Sequence, residues 1–138
     1  MQGELANGVS PVVMLVEDFQ DTREMMRRML ELQGCRVVEA ANGQEAIKLS
    51  QRGRLDLVLM DLNMPVLDGF NATLRIREYE PTRDVPVVAV TAYDSAEARA
   101  ASRAVGCCDY VVKPLELDHL AALLGRLLPP RAGAKADA

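Results

Sequence analysis

Five short apolar runs punctuate the chain: Val12–Val16, Cys35–Val38, Leu57–Met60, Val87–Val90 and Tyr110–Val112. Each is continuous rather than alternating, which is the pattern of strands covered on both faces in a parallel sheet. The stretches between them carry helical spacing. Thr22–Gln33 sets Met25, Met26, Met29 and Leu30 to one side, with Arg23, Arg27, Arg28 and Glu31 spread elsewhere. Gly34 comes next, where a helix C-terminus favours a residue free to take positive φ. Gly43–Arg52 carries Ala46, Ile47 and Leu49 and is closed by Gly53. Leu67–Tyr79 is a third helix after the break at Pro65, with Phe70, Leu74 and Ile76 expected inside. Ser95–Val105 is alanine-rich and stops at Gly106. Leu117–Leu128 places Leu117, Leu120, Leu124 and Leu127 at helical spacing before Pro129 and Pro130. Strand and helix alternate throughout, which predicts an α/β sandwich with a parallel sheet and right-handed crossovers. Residues 11–128 form the one domain, flanked by an N-terminal tail (1–10) and a flexible C-terminal tail (129–138).

Composition narrows the class. An apolar fraction of 49% supplies a core, and with 4% aromatic residues and no Trp that core is aliphatic. A net charge of −4 argues against general binding to nucleic acid. No run approaches the ~20 apolar residues that cross a bilayer, and Met1–Ser10 lacks the basic start and apolar stretch of a secretory signal. Cys35, Cys107 and Cys108 are an odd number without metal-ligand spacing. They read as buried thiols of a reduced, cytoplasmic protein.

In an open parallel sheet, ligands bind beyond the carboxyl ends of the strands, so the residues just after each apolar run carry the chemistry. Glu17 and Asp18 come after the first, Asp61 and then Asn63 after the third, Thr91 after the fourth, and Lys113 with Pro114 after the fifth. The second is succeeded only by Glu39 and Ala40, as suits a strand at the sheet's edge. Three converging carboxylates need a compensating charge. A hard divalent cation such as Mg²⁺ supplies it through oxygen ligands. Asp61 is then a candidate nucleophile able to form an acyl phosphate, with Lys113 and Thr91 placed to meet the phosphoryl oxygens. Asp21 and Asp94, by contrast, read as helix caps or turn formers.

Val16-Glu17-Asp18, Met60-Asp61-Leu62-Asn63-Met64-Pro65, Leu67-Asp68-Gly69, Thr91-Ala92 and Lys113-Pro114 together resemble the motifs of bacterial response-regulator receiver domains, of single-domain or hybrid-kinase type. The resemblance spans roughly residues 11–128. It implies a flavodoxin-like (βα)5 three-layer sandwich, its five-stranded parallel sheet ordered 2-1-3-4-5. It further implies that Asp61 is the phosphoacceptor, that Asp18, Asp61 and the backbone carbonyl of Asn63 ligate Mg²⁺, and that Glu17 acts through a metal-bound water. Thr91 and Tyr110 correspond to the switch pair, and Lys113 to the phosphoryl contact. Asn63 and Tyr93 stand where the lifetime of the phosphoryl group is set. The partners implied are a sensor histidine kinase or histidine phosphotransfer protein and a downstream protein docking on the face formed by the fourth helix, fifth strand and last helix. His119 matches no motif and reads as a surface residue.

Two other readings compete. A receiver-like interaction module working without phosphorylation is disfavoured by the intact set Glu17, Asp18, Asp61, Thr91 and Lys113. An aspartyl-phosphate phosphohydrolase needs a second acid near the nucleophile, and Asn63 cannot donate as one. The alanines of Ser95–Val105 admit two accounts: helix propensity with close packing on the sheet, or a shallow docking surface edged by Arg99 and Arg103.

Overall fold

The computed structural model describes residues 10–62, 64 and 68–128. Five parallel strands, β1 (Val12–Val16), β2 (Arg36–Ala40), β3 (Leu57–Asp61), β4 (Val87–Thr91) and β5 (Asp109–Val112), form one sheet in the order β2-β1-β3-β4-β5. Five helices alternate with them: α1 (Gln20–Leu32), α2 (Gly43–Ser50), α3 (Gly69–Glu78), α4 (Ala96–Ala104) and α5 (Leu117–Leu127). The anticipated fold and strand order are both present.

The continuous apolar runs find their reason in the three layers. β1, β3 and β4 are buried along their whole length. Their alternate side chains feed two cores. Val12, Met14, Val16, Val58 and Met60 face Ala46, Ala72 and Ile76 of α2 and α3. Val13, Leu15, Leu57 and Leu59 face Met26 and Leu30 of α1 and Leu120, Leu123 and Leu124 of α5. β2, on the edge, is only partly buried.

Local chemistry explains several boundaries. Asn42 caps α2 by accepting from Glu45 N–H at 2.9 Å, while Glu45 reaches back to Ala41 N–H at 2.7 Å. Asp68 caps α3 through Asn71 N–H (2.9 Å), so that helix begins at Gly69 and not at Leu67, which lies outside the described residues. Ser95, not Asp94, caps α4; Asp94 pairs with Arg99 instead (2.9 Å). Asp21 lies inside α1, whose N-cap position is held by Phe19 without a side-chain bond. Gly34 and Gly106 take the positive φ that ends α1 and α4, at 89° and 110°.

Some expected core positions differ. Leu74 is exposed because α3 meets the sheet through the smaller Ala72 and Thr73 beside Ile76, Phe70 packs half-buried against that core, and Leu117, at the start of α5, is exposed. Cys108 is exposed, unlike Cys35 and Cys107. Along α4, Ala96, Ala100, Ala101 and Ala104 are exposed and only Ser102 is buried, so close packing does not account for its alanines.

Candidate functional site

The strand order brings the ends of β1, β3, β4 and β5 together at one edge of the sheet. Glu17 directly follows β1, Asp61 is the last residue of β3, Thr91 is the last of β4, and Lys113 directly follows β5. Glu17, Asp61 and Thr91 are buried, at 2%, 4% and 1% exposure, while Asp18 is exposed. One carboxylate oxygen from each of Glu17, Asp18 and Asp61 falls within 4.8 Å of the other two. The constellation anticipated at the strand ends is therefore assembled, with the acidic groups converging as expected. Asn63 lies outside the described residues.

Lys113 joins this cluster from the end of β5. Its Nζ donates to Glu17 Oε1 at 2.7 Å and stands 3.7 Å from Asp61 Oδ2. The Glu17 carboxylate is held a second time, accepting Phe19 N–H at Oε2 (3.1 Å). Within the cluster, three carboxylates against one ammonium leave an excess of negative charge. That excess, presented by oxygen donors at the mouth of a buried site, fits a hard divalent cation.

The backbone around Asp61 is fixed tightly. Leu62 N–H donates to Val90 O (3.2 Å) and Gly69 N–H to Leu62 O (3.3 Å). A Cβ at Gly69 would overlap the carbonyl oxygen of Asp61 and lie 2.7 Å from Leu62 Cα. The first turn of α3 can seat against the acidic strand end only because residue 69 has no side chain. Lys113 is placed by its N–H, which donates to Thr91 O at 2.7 Å, and the peptide to Pro114 is cis.

Thr91 and Tyr110 are linked through Tyr93. Tyr93 N–H donates to Thr91 Oγ1 (3.2 Å), and Tyr110 O–H donates to the carbonyl oxygen of Tyr93 (2.7 Å). The Tyr110 ring is half-buried beneath the Arg99 guanidinium, 4.5 Å from its centroid, and Arg99 is held in turn by Asp94. The Tyr93 side chain itself is 66% exposed. His119 is exposed in α5, where the sequence placed it.

Sequence reasoning missed two arginines. Arg23 donates to the carbonyl oxygen of Glu17 (2.8 Å) and pairs with Glu39 (3.2 Å). Arg77 donates to the carbonyls of Gly106 and Arg83, both at 2.8 Å, and to that of Val85, binding α3 to the loops before β4 and β5. Nothing in the local pattern separates Arg23 from its neighbours Arg27 and Arg28, because carbonyl partners leave no trace in sequence.

Residues 13–125 match the response regulator receiver domain family. The transcriptional regulatory protein PrrA of Mycobacterium tuberculosis is 38% identical over 122 residues. The match takes in 88% of this chain but only 52% of PrrA, so the chain spans about half the length of that relative. Among solved structures, the receiver domain of the sensor histidine kinase PA1611 from Pseudomonas aeruginosa, with a magnesium ion coordinated in its active-site cleft, aligns at a TM-score of 0.81 and 36% identity. It covers 86% of this chain and 98% of that one. The receiver domain of Ssk1 from Saccharomyces cerevisiae, solved with the histidine phosphotransfer protein Ypd1, aligns at 0.79 and 31% identity, covering 85% and 88% of the two chains. The chain thus belongs to the response regulator receiver domains, the phosphorylatable modules of two-component phosphorelays and not conventional enzymes.

Proposed function

We propose that Asp61 is the phosphoacceptor of this receiver, taking its phosphoryl group from a phosphohistidine on a histidine kinase or histidine phosphotransfer protein. The observation that carries the reading is a buried carboxylate at a strand end, close to two further carboxylates and 3.7 Å from a lysine amine. The Ssk1–Ypd1 complex supports the class of donor. Asp18 and Asp61 would hold Mg²⁺ directly, with the Asn63 carbonyl, and Glu17 would act through a water because its own oxygens already serve Lys113 and Phe19 N–H. Bound Mg²⁺ neutralises the carboxylates and the oxygens in transfer.

The remaining work belongs to the protein. An Asp61 oxygen forms the new bond to phosphorus as the donor's N–P bond breaks, and the donor imidazole leaves neutral when its other nitrogen carries a proton. Such transfer depends mostly on positioning and charge stabilisation. Lys113 turns from Glu17 toward a phosphoryl oxygen, and the Thr91 hydroxyl donates to another. Because Thr91 is tied through Tyr93 to Tyr110, its movement repacks the face of α4, β5 and α5, on which a downstream protein docks. The exposed alanines of α4, with Arg103 beside them, support that face as the output surface. The reaction takes place in the cytoplasm on this reading; among the described residues no helix is long and apolar enough to cross a membrane. Intact mass after incubation with acetyl phosphate and Mg²⁺ tests the proposal: the native chain gains one phosphoryl group and Asp61→Asn gains none.

A further inference from the structure

The β1–α1 loop presents both Glu17 and Asp18, yet it lacks the usual means of fixation. α1 begins after Phe19, which makes no side-chain capping bond, so no cap ties the loop to the first turn. Beside Glu17 N–H to Ala40 O (3.0 Å) and the Lys113 bond to Glu17 Oε1, two further contacts hold the loop. One is internal, Phe19 N–H to Glu17 Oε2 (3.1 Å). The other comes from one turn into the helix, where Arg23 Nη1 donates to the carbonyl oxygen of Glu17 at 2.8 Å. The Arg23 side chain is 18% exposed and is itself braced: its Nε pairs with Glu39 Oε1 (3.2 Å) at the end of β2, while Arg27 Nε pairs with Glu39 Oε2 (3.1 Å). The Arg23 guanidinium thus adds a side-chain tie from the edge strand to the peptide linking Glu17 and Asp18, beside the backbone bond of Glu17 N–H to Ala40 O.

We infer that Arg23 is a positioning residue for the metal ligands, holding the Glu17–Asp18 peptide so that both carboxylates reach the ion that Asp61 also meets. The inference rests on the reading of these acids as the Mg²⁺ site. Outer partners that orient metal ligands affect affinity by about 10- to 100-fold, and a planar fork serving two acceptors is a geometry lysine cannot reproduce.

The sign of the effect separates positioning from simple charge. A cation beside an acidic cluster opposes the binding of another cation, so Arg23→Met should tighten Mg²⁺ binding if Arg23 were only a nearby charge. Positioning predicts the reverse. Isothermal titration of the full chain with Mg²⁺ alone should show affinity about tenfold weaker for Arg23→Met. Arg23→Lys, which keeps the charge and loses the fork, should also be weakened, and it carries the test if the Met variant does not fold. Urea unfolding in the absence of metal confirms that each variant is folded. Unchanged or tighter binding in the folded variants overturns the positioning role and leaves the phosphoacceptor assignment standing. Failure of the native chain to bind Mg²⁺ overturns the metal site and this inference together, while weakened binding in both variants supports it.

Discussion

Lys113 Nζ is bonded to Glu17 at 2.7 Å and stands 3.7 Å from Asp61, so the resting amine is committed to a residue that is not the proposed phosphoacceptor. The pair joins a side chain 3% exposed to one 23% exposed. Removing the lysine strands an almost fully buried carboxylate beside two others. Lys113→Met should therefore lower stability by about 2 kcal/mol without metal, below the loss for a fully buried pair because the amine is partly solvated. It should bind Mg²⁺ more tightly, since a competing cation is gone, and accept phosphoryl groups roughly 100-fold more slowly. Urea unfolding with and without Mg²⁺ and the initial rate from acetyl phosphate check the three effects.

Tyr110 and Arg99 hold the loop after β4 in its resting form. The Tyr110 hydroxyl bond to Tyr93 contributes about 1 kcal/mol, and the Arg99 stack adds about 0.5–1 kcal/mol. Tyr110→Phe and Arg99→Ala should each raise amide hydrogen exchange across residues 92–95, with little change at β1 or β3. Equal protection in the variants and the native chain would show that these contacts do not restrain the loop.

Tyr93 offers a different test, because its backbone links Thr91 to Tyr110 while its ring is largely exposed two residues beyond Thr91. Truncation leaves both backbone bonds possible and removes only the ring, to which we assign the screening of the acyl phosphate from water. Tyr93→Ala should lose its phosphoryl group about threefold faster, equivalent to about 0.7 kcal/mol of barrier. An unchanged or slower rate, measured by release of inorganic phosphate, would refute the role given to Tyr93.

The cysteines should separate cleanly by reactivity. Burial pushes the Cys107 thiol up to about 11 despite the nearby Thr73 hydroxyl, so little thiolate exists there at neutral pH. Cys35 is buried as well, whereas Cys108 is exposed and shifted upward mainly by desolvation. Iodoacetamide at pH 8 should modify Cys108 alone in the native chain and all three thiols in denaturant. Equal labelling of Cys107 in the folded protein would contradict its buried placement.

The parallel sheet was legible because Val12–Val16, Leu57–Met60 and Val87–Val90 carry apolar side chains on both faces, as a covered parallel sheet requires, whereas its strand order came only from the family resemblance. The acidic strand ends were legible for a different reason: one Asp after a strand reads as a cap, but Glu17, Asp18, Asp61, Thr91 and Lys113 at four strand ends do not all admit that account. Helix faces were harder to read. Leu74 and Leu117 have the right spacing, yet a small residue can take the sheet-facing position and leave the large one outside, as Ala72 and Thr73 do in α3. Arg23 and Arg77 escaped notice because their partners are backbone carbonyls, which every residue supplies. The engagement of Lys113 with Glu17 reaches across β3 and β4 through the extension of the two side chains, which spacing along the chain does not encode.

The identity of the acceptor is the central claim, and chemical trapping tests it most directly. Borohydride reduction converts an aspartyl phosphate to homoserine at the acceptor position. After phosphorylation with acetyl phosphate and Mg²⁺, peptide sequencing by mass spectrometry should find homoserine at position 61 and nowhere else. Homoserine at position 18, or phosphoryl incorporation that survives in Asp61→Asn, would contradict the account.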